Sequence, residues 1–176
     1  MTPKIIFFLL VASLSSFAQG LKVEYDKDHD FSKYKTFHFG EAEIITPKDQ
    51  RVIPDATLHK YVKGSIAEEL KEKGLQQMDS LADLEVSYVI GSLEKTDIEQ
   101  LGPLGMTPGS TSQTWSRDYW QSNLIIDLNE RGGKRIWRVN SITGSTSTEA
   151  ARAIGQVVAE GFKKFSLKPK KEKKKK

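Results

Sequence analysis

The chain of 176 residues contains no cysteine. That absence excludes disulfide bonds, a thiolate nucleophile and any zinc site built on cysteine. It also excludes lipid attachment at an export signal, which needs a cysteine as the first mature residue. Histidine is scarce: His29, His38 and His59 have no H-x-x-x-H or H-E-x-x-H spacing, so neither a metal centre nor a cofactor is expected. Long apolar runs are missing as well. The strongest, Ile5 to Leu14, is ten residues long, about half of the roughly twenty that a membrane-spanning helix needs.

That short run has another reading. Lys4 precedes it, and Ser15-Ser16-Phe17-Ala18 follows it. A positive start, an apolar centre and small residues at Ser16 and Ala18 are the three regions of a signal peptide, with cleavage expected between Ala18 and Gln19. The expected division is a signal peptide over 1–18, one domain over 19–167 and a solvated lysine-rich tail over 168–176.

Charge follows the same division. The whole chain carries 27 Lys and Arg against 23 Asp and Glu, but residues 19–167 are net −3 and residues 168–176 net +6. The basic character is a tail effect, and nucleic acid is not an expected partner of an exported chain with an acidic body. Facing anionic lipid or lipopolysaccharide, each lysine near the surface contributes on the order of 1 kcal/mol, so the tail suits a loose peripheral contact.

Along the body, residues 21–25 alternate apolar and polar, which predicts a half-buried strand. Phe31 and Tyr34 pack a turn leading into a second strand with Phe37 and Phe39 inward, and 40–54 reads as a polar loop. Leu58, Tyr61, Val62, Ile66 and Leu70 recur at helical spacing, with Asp55 as expected N-cap and Gly74 as the stop. Leu84, Val86, Tyr88 and Ile90 mark a third strand. Residues 91–123, rich in Gly, Pro, Ser and Thr, read as an irregular insertion or strand extension. Residues 124–128 and 134–143 form a strand pair around Asn129-Glu130-Arg131-Gly132-Gly133. Thr146-Ser147-Thr148-Glu149 has capping-box spacing before a helix with Ala150, Ala153, Ile154, Val157, Val158, Phe162 and Phe165 on one face, and Pro169 bars its continuation. The fold class is α+β: one domain, a mixed or mostly antiparallel sheet of about five strands, two amphipathic helices packed on it, in the order β-β-α-β-β-β-α.

Five segments in order (Asp30 to Phe37, Leu70 to Leu75, Ala82 to Tyr88, Leu124 to Leu128, Ile136-Trp137-Arg138) resemble domain-of-unknown-function family 4136, over about residues 21–166. The resemblance implies an exported bacterial envelope protein, of a family with many lipoproteins and no defining enzymatic activity. This chain departs from the lipoprotein members in having no cysteine, so the resemblance implies export without a lipid anchor, to the periplasm or outer-membrane periphery of a Gram-negative cell. It carries over no catalytic residues. Trp137-Arg138 and Asp83 match its pattern, Trp137 as a core anchor and Asp83 as a turn or cap at a strand entrance.

The residues themselves offer little chemistry. Asp26, Asp28 and Asp30 alternate as in a calcium loop, but Phe31 and Phe37 stand where an EF-hand needs Gly and Glu. There is no G-x-S-x-G elbow, Gly102-Pro103-Leu104-Gly105 lacks the Lys-Ser/Thr of a phosphate loop, and Asp97 with Glu99 reads as a solvated pair. The candidate binding residues are Trp115, Arg117, Tyr119 and Trp120, aromatics that stack on a glycan or anchor a protein partner unless they simply cover the sheet. The expected function is a non-catalytic binding or structural module of the cell envelope. The alternatives are a small periplasmic hydrolase or carbohydrate-active enzyme using scattered Asp, Glu and His, and a ligand carrier, which needs a deep apolar cavity. Mass spectrometry of the amino terminus tests the export reading: Gln19 is expected first, and an intact Met1 contradicts it.

Overall fold

A computed structural model describes residues 20–100, 114–145 and 149–168, with side chains described over 20–92, 121–142 and 149–168. Its elements are β1 (Leu21–Tyr25), β2 (Thr36–Ile44), a 3-10 turn (Lys48–Gln50), α1 (Asp55–Glu72), β3 (Gln76–Gln77), β4 (Leu84–Gln100), β5 (Thr114–Glu130), β6 (Arg135–Ser145) and α2 (Ala150–Phe162). The strands form one sheet in the order β1-β6-β5-β4-β2-β3. The β1–β6, β6–β5 and β5–β4 pairs are antiparallel, while β4–β2 and β2–β3 are parallel. This is the expected mixed α+β sheet with two helices, enlarged by the two-residue β3.

Strict alternation explains the layering. Leu84, Val86, Tyr88 and Ile90 of β4, Leu124, Ile126 and Leu128 of β5, and Trp137 and Val139 of β6 are all buried on one side. Val62, Ile66 and Leu70 of α1 and Ile154, Val157, Val158 and Phe162 of α2 meet them there. Trp137, 1% exposed, is the anchor of this core. It stacks on Tyr25 at 4.2 Å between ring centres and meets Phe31 and Phe165 edge-on at 5.8 and 5.3 Å. One ring thus ties β1, the β1–β2 loop, β6 and the segment after α2, and such aromatic pairs add about 0.5–1.5 kcal/mol each beyond their burial.

Three expectations are corrected and one open reading is decided. Residues 40–44 continue β2 instead of opening a loop. Phe39 pairs with Val86 and Ala42 with Tyr88, so one extra residue bulges between them. The bulge shifts the inward phase from Phe37 and Phe39 to Ala42 and Ile44, and that shift hides the strand in the sequence. Residues 91–100 and 114–123 follow the second of their two readings, a strand extension, paired as far as Gln100 with Thr114. The stretch 101–113 lies outside the described residues. Asp55 is the first helical residue and not the N-cap: Pro54 occupies that place without a side-chain cap, and the Asp55 carboxylate pairs with Arg51 one turn back. Finally, α2 ends at Phe162, well before Pro169, and a turn carries Phe165 back into the core. Thr146 to Thr148, the expected capping box, lies outside the described residues; Glu149 binds Arg152 at 2.8 Å.

Two glycines give opposite expectations. A Cβ on Gly161 of α2 would lie 2.6 and 2.8 Å from the Val139 methyl carbons, so the helix rests on β6 through that glycine, whereas one on Gly64 of α1 would meet nothing within 4 Å. Gly161→Ala is expected to destabilise by about 1–3 kcal/mol through overpacking against a stiff β-branched neighbour. Gly64→Ala is expected to stabilise by about 0.5–1 kcal/mol through helix propensity. Urea unfolding checks both signs.

Candidate functional site

With both helices on one side, the other sheet face is open among the described residues. Several of its polar side chains pair, although the buried Nδ1 of His38 has no partner among the described residues. Arg138 holds Asp127 through two hydrogen bonds of 2.6 and 2.5 Å, Lys22 pairs with Glu24 at 2.7 Å, and Asn129 donates to Ser87 at 3.2 Å. At one end this face deepens into a groove of about 500 Å³. His38 of β2, Glu85 of β4 and Asn129 of β5 lie along it, walled by Ser80 to Ala82 before β4 and by Glu130 to Gly133 after β5.

Both walls are tightly built. The Asp83 carboxylate accepts the backbone N–H groups of Lys35 at 2.8 Å and Thr36 at 3.1 Å, and the Thr36 hydroxyl receives the Asp83 N–H at 2.9 Å. This reciprocal clamp locks the entrance of β4 to that of β2. The N–H groups, Lys35 first, hold the Asp83 carboxyl below its usual range. Between clamp and β3, Leu81 stands at φ +56° and 80% exposed, and Arg131 donates to its carbonyl at 2.7 Å. A bulky residue in the left-handed region costs on the order of 1 kcal/mol or more, and here it presents an apolar side chain to water at the rim of a groove. Across the groove, Gly133 at φ +79° closes the β5–β6 turn.

Glu130 anchors the site from beneath. It accepts hydrogen bonds from the Tyr34 hydroxyl and from Lys33 Nζ, the latter at 2.9 Å, and His29 Nε2 lies 2.8 Å from the same hydroxyl. The Tyr34 hydroxyl first, then Lys33, hold the Glu130 carboxyl down to about 2. Burial first, then the bond to Glu130, pushes Tyr34 up to about 12. A carboxylate so held does not donate a proton near neutral pH. On the groove floor, His38 Nε2 and Glu85 Oε2 stand 3.5 Å apart. No three His, Asp or Glu side chains converge as a metal site among the described residues. A second crevice, lined by Leu58, Ile90, Leu124, Ile154 and Val157, has about 40 Å³, against the roughly 300 Å³ or more of a small-molecule site.

The model of a domain of unknown function, DUF4136, matches residues 21–165. The chain belongs to that family. Comparison with curated proteins gives no match. Among solved structures, the PelC dodecamer from Paraburkholderia phytofirmans is similar, with 11% identity, a TM-score of 0.50, and coverage of 86% of this chain and 98% of that one. A DUF4136 family protein from Bacteroides thetaiotaomicron is 17% identical, with a TM-score of 0.46 and coverage of 84% and 97%.

Within this DUF4136 domain the expected site residues and the groove lie apart. Trp115, Arg117, Tyr119 and Trp120 stand on β5 opposite Glu99, Asp97, Lys95 and Glu94, at the far end of the strand from Glu130; their side chains are outside the described residues. Ala18, Gln19 and residues 169–176 also lie outside them. The histidines are separate: His29 on Tyr34, His38 by Glu85, and His59 with its Nδ1 2.6 Å from the Tyr88 hydroxyl. Asp26 and Asp30 close local turns on the N–H groups of Asp28 and Ser32. Among the described residues no helix is long and apolar enough to cross a membrane. Periodicity did not find the groove, because its residues are the polar phase of strands read for their apolar phase. One signal was present: Leu81, an apolar residue in a polar turn, out of phase with Leu84 and Val86.

The Glu130 network sets a pH dependence. A carboxyl depressed in the folded state stabilises it above the unfolded value of 4.5, and that contribution is lost as pH falls towards about 2. In acid unfolding followed by circular dichroism, Glu130→Gln is expected to be less stable than wild type at neutral pH and to lose less stability between those two values. Parallel curves would contradict it.

Proposed function

We propose that this DUF4136 domain is an exported, non-catalytic binding module of the cell envelope, and that the open-face groove is its contact surface. The observation that carries this reading is Leu81, held in a strained conformation by Arg131 with its side chain in water at the groove rim. Backbone strain at an exposed apolar residue is characteristic of ligand contacts, where the surrounding structure over-determines the conformation. The walls support it, being rigid where a preorganised contact needs them.

An enzyme reading is weaker on the same geometry. Glu130 is tied as a permanent carboxylate, and Glu85 is beside His38, 42% exposed. A carrier reading is weaker still, since the apolar crevice holds little more than one water. The size and polarity of the groove suit a glycan or a short protein segment of the envelope. The lysine tail adds a peripheral contact with anionic lipid or lipopolysaccharide, consistent with an acidic body and a +6 tail.

Titration with purified peptidoglycan fragments and lipopolysaccharide, followed by amide chemical shifts, tests the site. Shifts are expected at Leu81, Glu85 and Arg131, and Leu81→Ser is expected to weaken binding about tenfold with little change in melting temperature. Turnover of the fragments, or shifts confined to other surfaces, would overturn the assignment.

A further inference from the structure

Among the described residues the sheet has two free edges, and they are built differently. Beyond Phe37, β2 has no partner on its outer side among the described residues, where β3 pairs with Thr36 and Phe37. That stretch is bulged, and it exposes Glu41 and Glu43. Bulges and charged side chains are usual means by which an edge is kept from pairing, and a second β2 would bring like-charged glutamates near one another. The edge at β1 has neither device. Leu21 to Tyr25 pairs with β6 in unbroken register from Ser141 to Trp137.

The hydrogen-bond phase of β1 follows from one contact. Gly20 accepts the Ile142 N–H at 2.9 Å, and in an antiparallel ladder the residues bonded to the neighbour alternate. Lys22 and Glu24 therefore bond to Asn140 and Arg138, while the N–H and C=O groups of Leu21, Val23 and Tyr25 point away from the sheet. An antiparallel copy of β1 laid against this edge, with a two-fold axis at Val23, puts Leu21 opposite Tyr25, Val23 opposite Val23 and Tyr25 opposite Leu21. These are the residues whose outward groups have no partner among the described residues, so each pair exchanges both bonds. Lys22 then falls opposite Glu24 of the second copy, and Glu24 opposite its Lys22, in the closer, non-bonded positions where side chains approach most nearly. Both side chains are exposed, 73% and 43%. Bond phase, apolar pairing and charge all agree on one register.

We infer that β1 is a self-recognition edge through which two copies of this chain join their sheets. The isologous contact is the kind a two-fold dimer requires, with each residue meeting its own complement. It lies on the opposite margin of the sheet from β2 and β3, so it leaves the groove open.

Sedimentation equilibrium tests it on the protein recovered from expressing cells, amino terminus determined. Wild type is expected to show a concentration-dependent monomer–dimer equilibrium. Lys22→Glu sets two like-charged pairs across the axis and is expected to weaken the dimer about tenfold. Lys22→Glu with Glu24→Lys restores both pairs and is expected to recover it; because Glu24 lies opposite Arg138, the melting curve of the double variant also reports the charge it brings there. Melting curves report whether each variant folds. A wild type that stays monomeric at the highest concentrations, or a folded double variant no better than the single one, would overturn the inference.

Discussion

Two helices cover one face of a six-stranded sheet, and most of the molecule follows from that. The covered face takes every second residue of β4, β5 and β6 and packs them against α1 and α2 around Trp137. The uncovered face mixes apolar side chains, Val89, Ile125 and the exposed Ile142, with polar ones that pair: Arg138 with Asp127, Lys22 with Glu24, Asn129 with Ser87. Such exposed pairs contribute little stability individually, about 0–1 kcal/mol. Their effect is to fix the side chains of a surface that no helix restrains.

The groove forms where this open face meets the loops at one end, and three separate devices hold it. The Asp83 clamp joins the starts of β2 and β4, the Glu130 network joins the β1–β2 loop to the end of β5, and Arg131 reaches across to the Leu81 carbonyl. Each links segments far apart in sequence. The core therefore supplies the rigidity of the site without contributing its contact atoms, the usual division between a packed scaffold and loop-borne function.

What was legible in the sequence divides along the same line. Elements that bury one face announced themselves: the α1 stripe, the alternation of β4, the Phe162 face of α2, and Gly74, found at φ +101° as the stop of α1. The family resemblance, carried by those elements, covers the same chain as the family match. Elements without a steady apolar phase were obscure. The arm of β4 and β5 lacks an apolar phase, and the bulge after Phe39 breaks the phase of β2. The groove was hidden for a third reason. His38, Glu85 and Asn129 are ordinary polar residues until the register aligns them, and the out-of-phase Leu81 gains its meaning from its backbone angle.

The claim that this groove is a contact surface is tested most directly in the cell. A photo-crosslinking amino acid at Leu81 is compared with one at Ile45, which is 55% exposed but outside the groove. The account predicts a discrete adduct with an envelope component from Leu81 and none from Ile45. Equal labelling at both positions, or none at Leu81, would contradict it.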